Sequence, residues 1–146
     1  MGKRRQGREA ALKLLYALDL TQAEAQDVVN ATWVKEIVPP QARDFVMMLV
    51  TGVADHREEI DAAIRAWSSH WSLARIGVVE RNLLRLAIFE LLFRPDIPPN
   101  VTINEAVEMA KSYGAEEARV FVNGVLDRVK HEMLPEPAAE VVPEMS

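Results

Sequence analysis

The 146-residue sequence contains no cysteine, which excludes disulfides, thiolate zinc sites and a cysteine nucleophile. No apolar stretch approaches the roughly 18 residues that a membrane-spanning helix requires. Only six glycines occur, and they form neither a phosphate-binding loop nor a G-x-S-x-G motif. With 49% hydrophobic residues, we expect a compact cytoplasmic protein that does not enter a membrane.

Histidines and carboxylates are present, but not in patterns that indicate catalysis. His56, His70 and His131 match neither the HExxH motif nor the Glu-x-x-His spacing of di-iron bundles. The carboxylates fall on the polar sides of the expected helices. We therefore predict no metal, no cofactor and no enzymatic activity.

Charge is distributed unevenly along the chain, whose net charge is −5. Residues 1–16, the basic segment, carry a net charge of +4, which leaves −9 on the other residues. A small basic region on an acidic protein favours local phosphate contact with little non-specific binding elsewhere.

Apolar residues recur at helical spacing, and no segment shows the alternation of a strand. The expected fold is all-α: an orthogonal bundle of about seven helices, in two small sub-bundles that share a core. Residues 4–20 form the first helix, and a Thr21–Glu24 capping box begins a second that reaches about residue 38. Pro39 and Pro40 precede a third helix at about 41–53. A fourth contains the stripe Ile60, Ile64, Trp67 and Trp71.

The second half of the chain predicts three further helices. Residues 83–93 are apolar on nearly every side, which is typical of a central helix. A second capping box, Thr102–Glu105, predicts the start of the next helix, and Gly114 is expected to end it in a left-handed conformation. In the last helix, at about 116–133, Gly124 suggests a close helix approach. The helical domain spans residues 1–134, and 135–146 form an acidic tail that we expect to be disordered.

Projection of the first helix separates two faces. Its main apolar stripe contains Ala11, Leu14, Leu15 and Leu18. Arg5, Glu9, Leu12 and Tyr16 recur on nearly the opposite side, with Lys13 beside them. Arginines near an aromatic ring suit single-stranded RNA, because guanidinium groups bind phosphate while the ring stacks on a base. Alternatively, Tyr16 packs against a neighbouring helix and the arginines are merely solvated.

Three blocks resemble the NusB transcription antitermination factor family. They are RRQGREAALKLLYALDL, VVERNLLRLAIFEL and DIPPNVTINEAVEMAKSYGAEEARVFVNGVLD. In the middle block the matching positions are Glu80, Arg81, Leu84, Arg85, Ala87 and Glu90. The resemblance covers about residues 3–130, which leaves the acidic tail outside it.

The resemblance implies a partner, an RNA and a set of contact residues. The partner is the ribosomal protein NusE, the RNA is the boxA element of nascent ribosomal RNA transcripts, and the complex joins RNA polymerase and other Nus factors. The implied NusE contacts are Glu80 and Arg81. The RNA-binding set, to which Lys13 is added for its position beside Tyr16, is Arg4, Arg5, Arg8, Lys13, Tyr16, Tyr113, Glu117 and Phe121.

Other interpretations of the same residues remain open. By periodicity Tyr113 and Phe121 are also candidates for the core, and Glu80 with Arg81 for a solvated pair. A helical adaptor or homodimer without specific RNA binding is the alternative function. Similar domains are fused to ribosomal RNA cytosine methyltransferases, but the chain lacks the catalytic region and the cysteines of a complete enzyme.

Overall fold

The computed structural model describes residues 3–21, 38–68 and 76–135. Within these ranges every regular element is helical, which confirms the all-α prediction. The elements are α1 (Lys3–Thr21), a 3₁₀ turn (Pro40–Ala42), α2 (Arg43–Asp55), α3 (Arg57–Trp67), α4 (Val78–Phe93), α5 (Pro99–Tyr113) and α6 (Ala118–Met133). The helix predicted up to residue 38 lies almost wholly outside the described residues, as do Trp71 and all of the predicted tail beyond Pro135.

Helix α4 is the centre of the bundle, as its composition predicts. All of residues 82–91 are buried, and α4 contacts each of the other five described helices. Burying one large aliphatic side chain contributes roughly 1.5–3 kcal/mol, so a helix that is buried on every side holds its neighbours in place. The other helices cover α4 and carry the candidate site on their outer faces.

Helix α1 packs its predicted stripe against α2 and α4. Ala11, Leu14 and Leu15 are buried, and Leu18 packs against the core from a partly exposed position. Gly7 lies where α1 meets α2, and a Cβ there would come within 2.8 Å of Phe45 Cδ2. A glycine inside a helix lowers the stability of the helix by about 1 kcal/mol relative to alanine. At this position the missing side chain leaves room for the Phe45 ring.

The start of α5 differs from the sequence prediction. The helix begins at Pro99, after Pro98 as the N-cap residue, so the predicted Thr102–Glu105 capping box is wrong. A proline suits the first turn because it lacks an N–H that would go unpaired there. Thr102 lies inside the helix, where its hydroxyl donates to Glu90 Oε1 of α4 at 2.8 Å.

Two glycine predictions are also wrong. Gly114 ends α5 with φ −99° and ψ 179°, an extended rather than a left-handed conformation. Gly124 is exposed on α6, and a Cβ added there would meet nothing within 4 Å. Neither glycine therefore serves the role that its local sequence predicts.

Candidate nucleic-acid interface

The outer face of α1 presents a short exposed stripe. Tyr16 is 39% exposed and Leu20 is 57% exposed, while Lys13 also faces solvent. Tyr16 is thus a surface residue rather than a core residue. Leu20 is a further surface residue, and its spacing of four from Tyr16 is the sequence signal that places it on the same face. Leu12, which was assigned to this face, is buried.

Arg8, predicted to face RNA, lies instead in the core. Its side chain is 3% exposed, and its Nε and Nη2 donate to the two carboxylate oxygens of Glu90, each at 2.8 Å. Glu90 is 1% exposed and also accepts the Thr102 hydroxyl. A buried carboxylate needs a paired cation, and Arg8 supplies it. We therefore correct Arg8 from an RNA-contacting residue to a structural one.

Arg5 is paired as well, but nearer the surface. Its guanidinium donates through Nε and Nη2 to Glu105 of α5, the latter at 2.7 Å, and its side chain is 24% exposed. The hydrogen bond from Arg5 holds the pKa of Glu105 below its ordinary value, against the effect of burial. Because Glu105 offsets its charge, Arg5 attracts phosphate less strongly than an isolated arginine would.

Arg4 and Lys13 differ from these two arginines because both are exposed. The Arg4 guanidinium lies 5.4 Å from the centre of the Phe45 ring, a cation–π arrangement that leaves its edges accessible to solvent. Arg8 lies 5.6 Å from the same ring. Arg4 and Lys13 are consequently the members of the predicted basic set that are best placed to contact phosphate.

The second group of predicted residues lies around the connection from α5 to α6. Tyr113 ends α5 and is 38% exposed, so it belongs to the surface. Glu117 is exposed and precedes the first residue of α6. Phe121, one turn further, is partly buried against the core, while its neighbour Val120 is 65% exposed.

Glu80 and Arg81, predicted to meet a protein partner, do not form a solvated pair with each other. The Glu80 carboxylate accepts the backbone N–H of Ala115 through Oε2 at 2.9 Å. Arg81 donates through Nε and Nη2 to Asp19 Oδ2, at 2.9 and 2.7 Å, and its side chain is only 16% exposed. The two neighbouring side chains thus bind different segments of the same chain.

Asp19 joins the end of α1 to α4. Besides Arg81, its Oδ2 accepts from Asn82 at 3.0 Å and from Arg85 at 3.1 Å, and Arg85 also pairs with Asp61 of α3. Burial alone would raise the pKa of Asp19, but the hydrogen bonds from Arg81 and Asn82 and the charge of Arg85 outweigh it. The pKa is therefore below its ordinary value.

In the described ranges no three histidine, aspartate or glutamate side chains are grouped so that they could hold a metal ion. In the same ranges no helix combines the length and the apolar character needed to cross a membrane.

Comparison with known proteins gives consistent matches along the chain. A model of the NusB family matches residues 5–131. The transcription antitermination protein NusB of Myxococcus xanthus is 48% identical over 133 residues, which cover 88% of this chain and 95% of that protein. The protein of the same name from Geobacter sulfurreducens is 48% identical over 131 residues, which cover 88% and 94%.

Solved structures also match over most of the chain. T. maritima NusB superimposes with a TM-score of 0.80 at 38% identity, covering 92% of this chain and 94% of that one. A crystal structure of the antitermination factors NusB and NusE in complex with dsRNA contains a chain that matches with a TM-score of 0.77 at 33% identity. That match covers 90% of this chain and 98% of the other.

Proposed function

The chain belongs to the NusB family, and on that premise we propose that it is a transcription antitermination protein that binds RNA together with NusE. The curated relatives carry that name, and a solved relative is bound to NusE and double-stranded RNA. The RNA is the single-stranded boxA element of nascent ribosomal RNA, and the complex joins RNA polymerase and other Nus factors in the cytoplasm. The protein contributes binding surfaces and no catalysis.

The exposure of the Tyr16 ring on the outer face of α1 is the observation that carries this proposal. A tyrosine ring that is 39% exposed, with Lys13 one turn before it, offers a face on which a base stacks while the ammonium group binds the adjacent phosphate. Tyr113, also exposed, offers a second ring. We name Tyr113, Glu117 and Phe121 the candidate RNA edge.

The basic residues divide into two roles. Arg4 and Lys13 contact phosphate. Arg5 holds α1 against α5 through Glu105, and Arg8 holds α1 against α4 through Glu90. The exposed part of Arg5 adds a weaker contact. The region around Glu80 at the start of α4 meets NusE. Arg81 supports that surface from within, because its guanidinium binds Asp19.

Replacement of Tyr16 tests the proposal directly. We expect Tyr16→Ala to weaken binding of a boxA-type RNA by about 5- to 150-fold, the equivalent of one lost base stack, with little loss of stability. Tyr16→Phe keeps the ring and should bind nearly as tightly as the native protein. Fluorescence anisotropy with labelled boxA-type and scrambled RNA, each with and without NusE, measures both variants.

Two results would contradict the proposal. Equal and weak binding of boxA-type and scrambled RNA, unchanged by NusE, would leave a helical adaptor or homodimer that recognises only proteins. Native-like RNA binding by Tyr16→Ala would show that α1 does not present the stacking surface.

A further inference from the structure

The Glu80 carboxylate lies where two segments of the chain meet. Glu80 belongs to the first turn of α4, and the loop between α5 and α6 approaches it from another part of the fold. Ala115, in that loop, donates its backbone N–H to Glu80 Oε2 at 2.9 Å. This side chain therefore fixes the loop to the central helix.

Two glycines border this carboxylate, and neither is explained by its backbone conformation. Gly77 has φ −58° and Gly114 has φ −99°, values that any residue adopts. A Cβ at Gly77 would collide with Glu80 Oε1. One at Gly114 would lie 3.0 Å from Oε2 and 2.7 Å from the Cβ of Ala118. The absence of both side chains leaves room for Glu80 beside the loop.

The loop held in this way carries the candidate RNA edge. Only four residues, 114–117, separate α5 from α6. Ala115 lies two residues after Tyr113 and two residues before Glu117. A loop this short has little freedom, and the hydrogen bond at its centre further restrains the segment between Tyr113 and Glu117.

Arg81 makes the corresponding connection to α1. Its guanidinium binds Asp19 Oδ2 twice, and Asp19 lies three residues after Tyr16, on the same helix. Consecutive residues at the start of α4 thus bind the two segments that carry the exposed tyrosines. We name Glu80 and Arg81, with their partners Ala115 and Asp19, the α4 link.

We propose that the α4 link sets the placement of Tyr16 relative to Tyr113, so that Glu80 is a positioning residue for RNA binding by this chain alone. This inference rests on the RNA-binding function proposed above and adds a role to Glu80 that needs no partner protein. A Glu80 that acted only as a contact for NusE would leave RNA affinity unchanged when NusE is absent.

A double-mutant cycle on Gly77 and Glu80 tests the inference. Gly77→Ala keeps the carboxylate but forces it to move, because the added Cβ would collide with Oε1. Glu80→Ala removes it. We expect each change to weaken RNA binding without NusE by about 2- to 12-fold, the equivalent of one hydrogen bond. The double variant should bind no more weakly than Glu80→Ala, because both changes break the same contact. Glu80→Gln keeps an oxygen acceptor and should bind nearly normally.

Glu116→Ala is the matched control. It removes one exposed carboxylate from the same loop and changes the net charge as Glu80→Ala does. Removing a negative charge favours RNA binding electrostatically, so a loss of affinity in Glu80→Ala runs against the effect of charge. The rate of hydrogen exchange of the Ala115 amide is measured for the same variants. It should increase in Gly77→Ala and Glu80→Ala but not in Glu116→Ala.

The outcomes separate this inference from the proposed function. Should the native protein bind no RNA even with NusE, the proposed function fails and the inference with it. Should the native protein bind RNA while Gly77→Ala and Glu80→Ala bind as Glu116→Ala does, the inference alone is overturned. If Glu80→Ala does not fold, the comparison of Gly77→Ala with Glu116→Ala still decides the question.

Discussion

Two arginines one turn apart on α1 contact the same aromatic ring and yet have different environments. Arg4 and Arg8 lie 5.4 and 5.6 Å from the centre of the Phe45 ring. Arg4 remains exposed, whereas Arg8 is almost completely buried with Glu90. The same residue type at a helical spacing of four therefore remains at the surface at one position, where the proposed function uses it, and belongs to the core at the other.

Alanine substitution should affect stability at Arg8 and RNA binding at Arg4. Arg8→Ala leaves Glu90 buried without its cation, and we expect a loss of about 3–5 kcal/mol in the free energy of unfolding. Arg4→Ala should lose less than about 1 kcal/mol of stability but should weaken RNA binding. Urea denaturation and anisotropy titration measure the two quantities. Equal stability losses in both variants would contradict the assignment of Arg8 as a structural residue.

At the scale of the element, α1 is fixed by ion pairs near both ends. Arg5 binds Glu105 of α5 near the start, and Asp19 binds Arg81 and Arg85 of α4 near the end. Apolar packing holds the middle of the helix. The ion pairs fix its rotation and its position along the axis, because each side chain must reach one particular partner. The outward direction of Tyr16 follows from that placement.

Acid should loosen α1 through these pairs. The pKa values of Asp19 and Glu105 are lowered in the folded protein. Their stabilisation is therefore complete above the unfolded pKa values, about 4, and is lost as pH falls through the lower folded values. We expect the stability difference between the native protein and Asp19→Asn to shrink between pH 7 and pH 3, as measured by urea unfolding.

Asp96 provides the control for this pH effect. Its pKa is lowered to about 2 by the hydrogen bond from Arg94, but the residue is exposed and its pair is local. Solvent screens such a pair, so Asp96→Asn should change stability little at either pH. A constant difference between the native protein and Asp19→Asn across this pH range would refute the role given to the Asp19 carboxylate.

For the whole molecule, the paired arginines reduce the expected dependence of RNA binding on salt. If Arg4 and Lys13 each contact one phosphate on a single strand, the log–log slope is about −1.4, roughly a 7-fold loss of affinity between 50 and 200 mM salt. Four phosphate contacts from the segment would give a slope of about −2.8 and a loss of roughly 50-fold. Titrations without NusE distinguish the two. The steeper slope would mean that further cations of the basic segment, beyond Arg4 and Lys13, contact phosphate.

Helical periodicity was enough to predict the all-α fold, the central position of α4 and the inner stripe of α1. Each of these depends on which residues are apolar and on their spacing, both of which are local properties. The same spacing allowed Tyr16 to be placed on the outer face. The exposure of Tyr113 could not be decided in this way, because it depends on the tertiary packing at the end of α5.

Two of the wrong predictions, the capping box and the RNA contact of Arg8, share a physical cause, namely partners that are distant in the sequence. Thr102 and Glu105 have the spacing of a capping box, but Glu90 and Arg5 occupy their side chains. Arg8 belongs to a basic run and yet pairs with a residue 82 positions later. No local pattern indicates such a partner, so the division of the basic segment into paired and exposed residues required the structure.

The long separation between α1 and its partners also affects synthesis. Arg8 cannot pair with Glu90 until 82 further residues have been translated, and Arg5 cannot pair with Glu105 until 100 have been. At 5–20 residues per second, that delay is roughly 4–20 s. During this interval the apolar stripe of α1 lacks the central helix that will cover it. Helix α1 therefore reaches its final position only after the residues that pair with it have been translated, and in the proposed function RNA meets an ordered surface only from that point on.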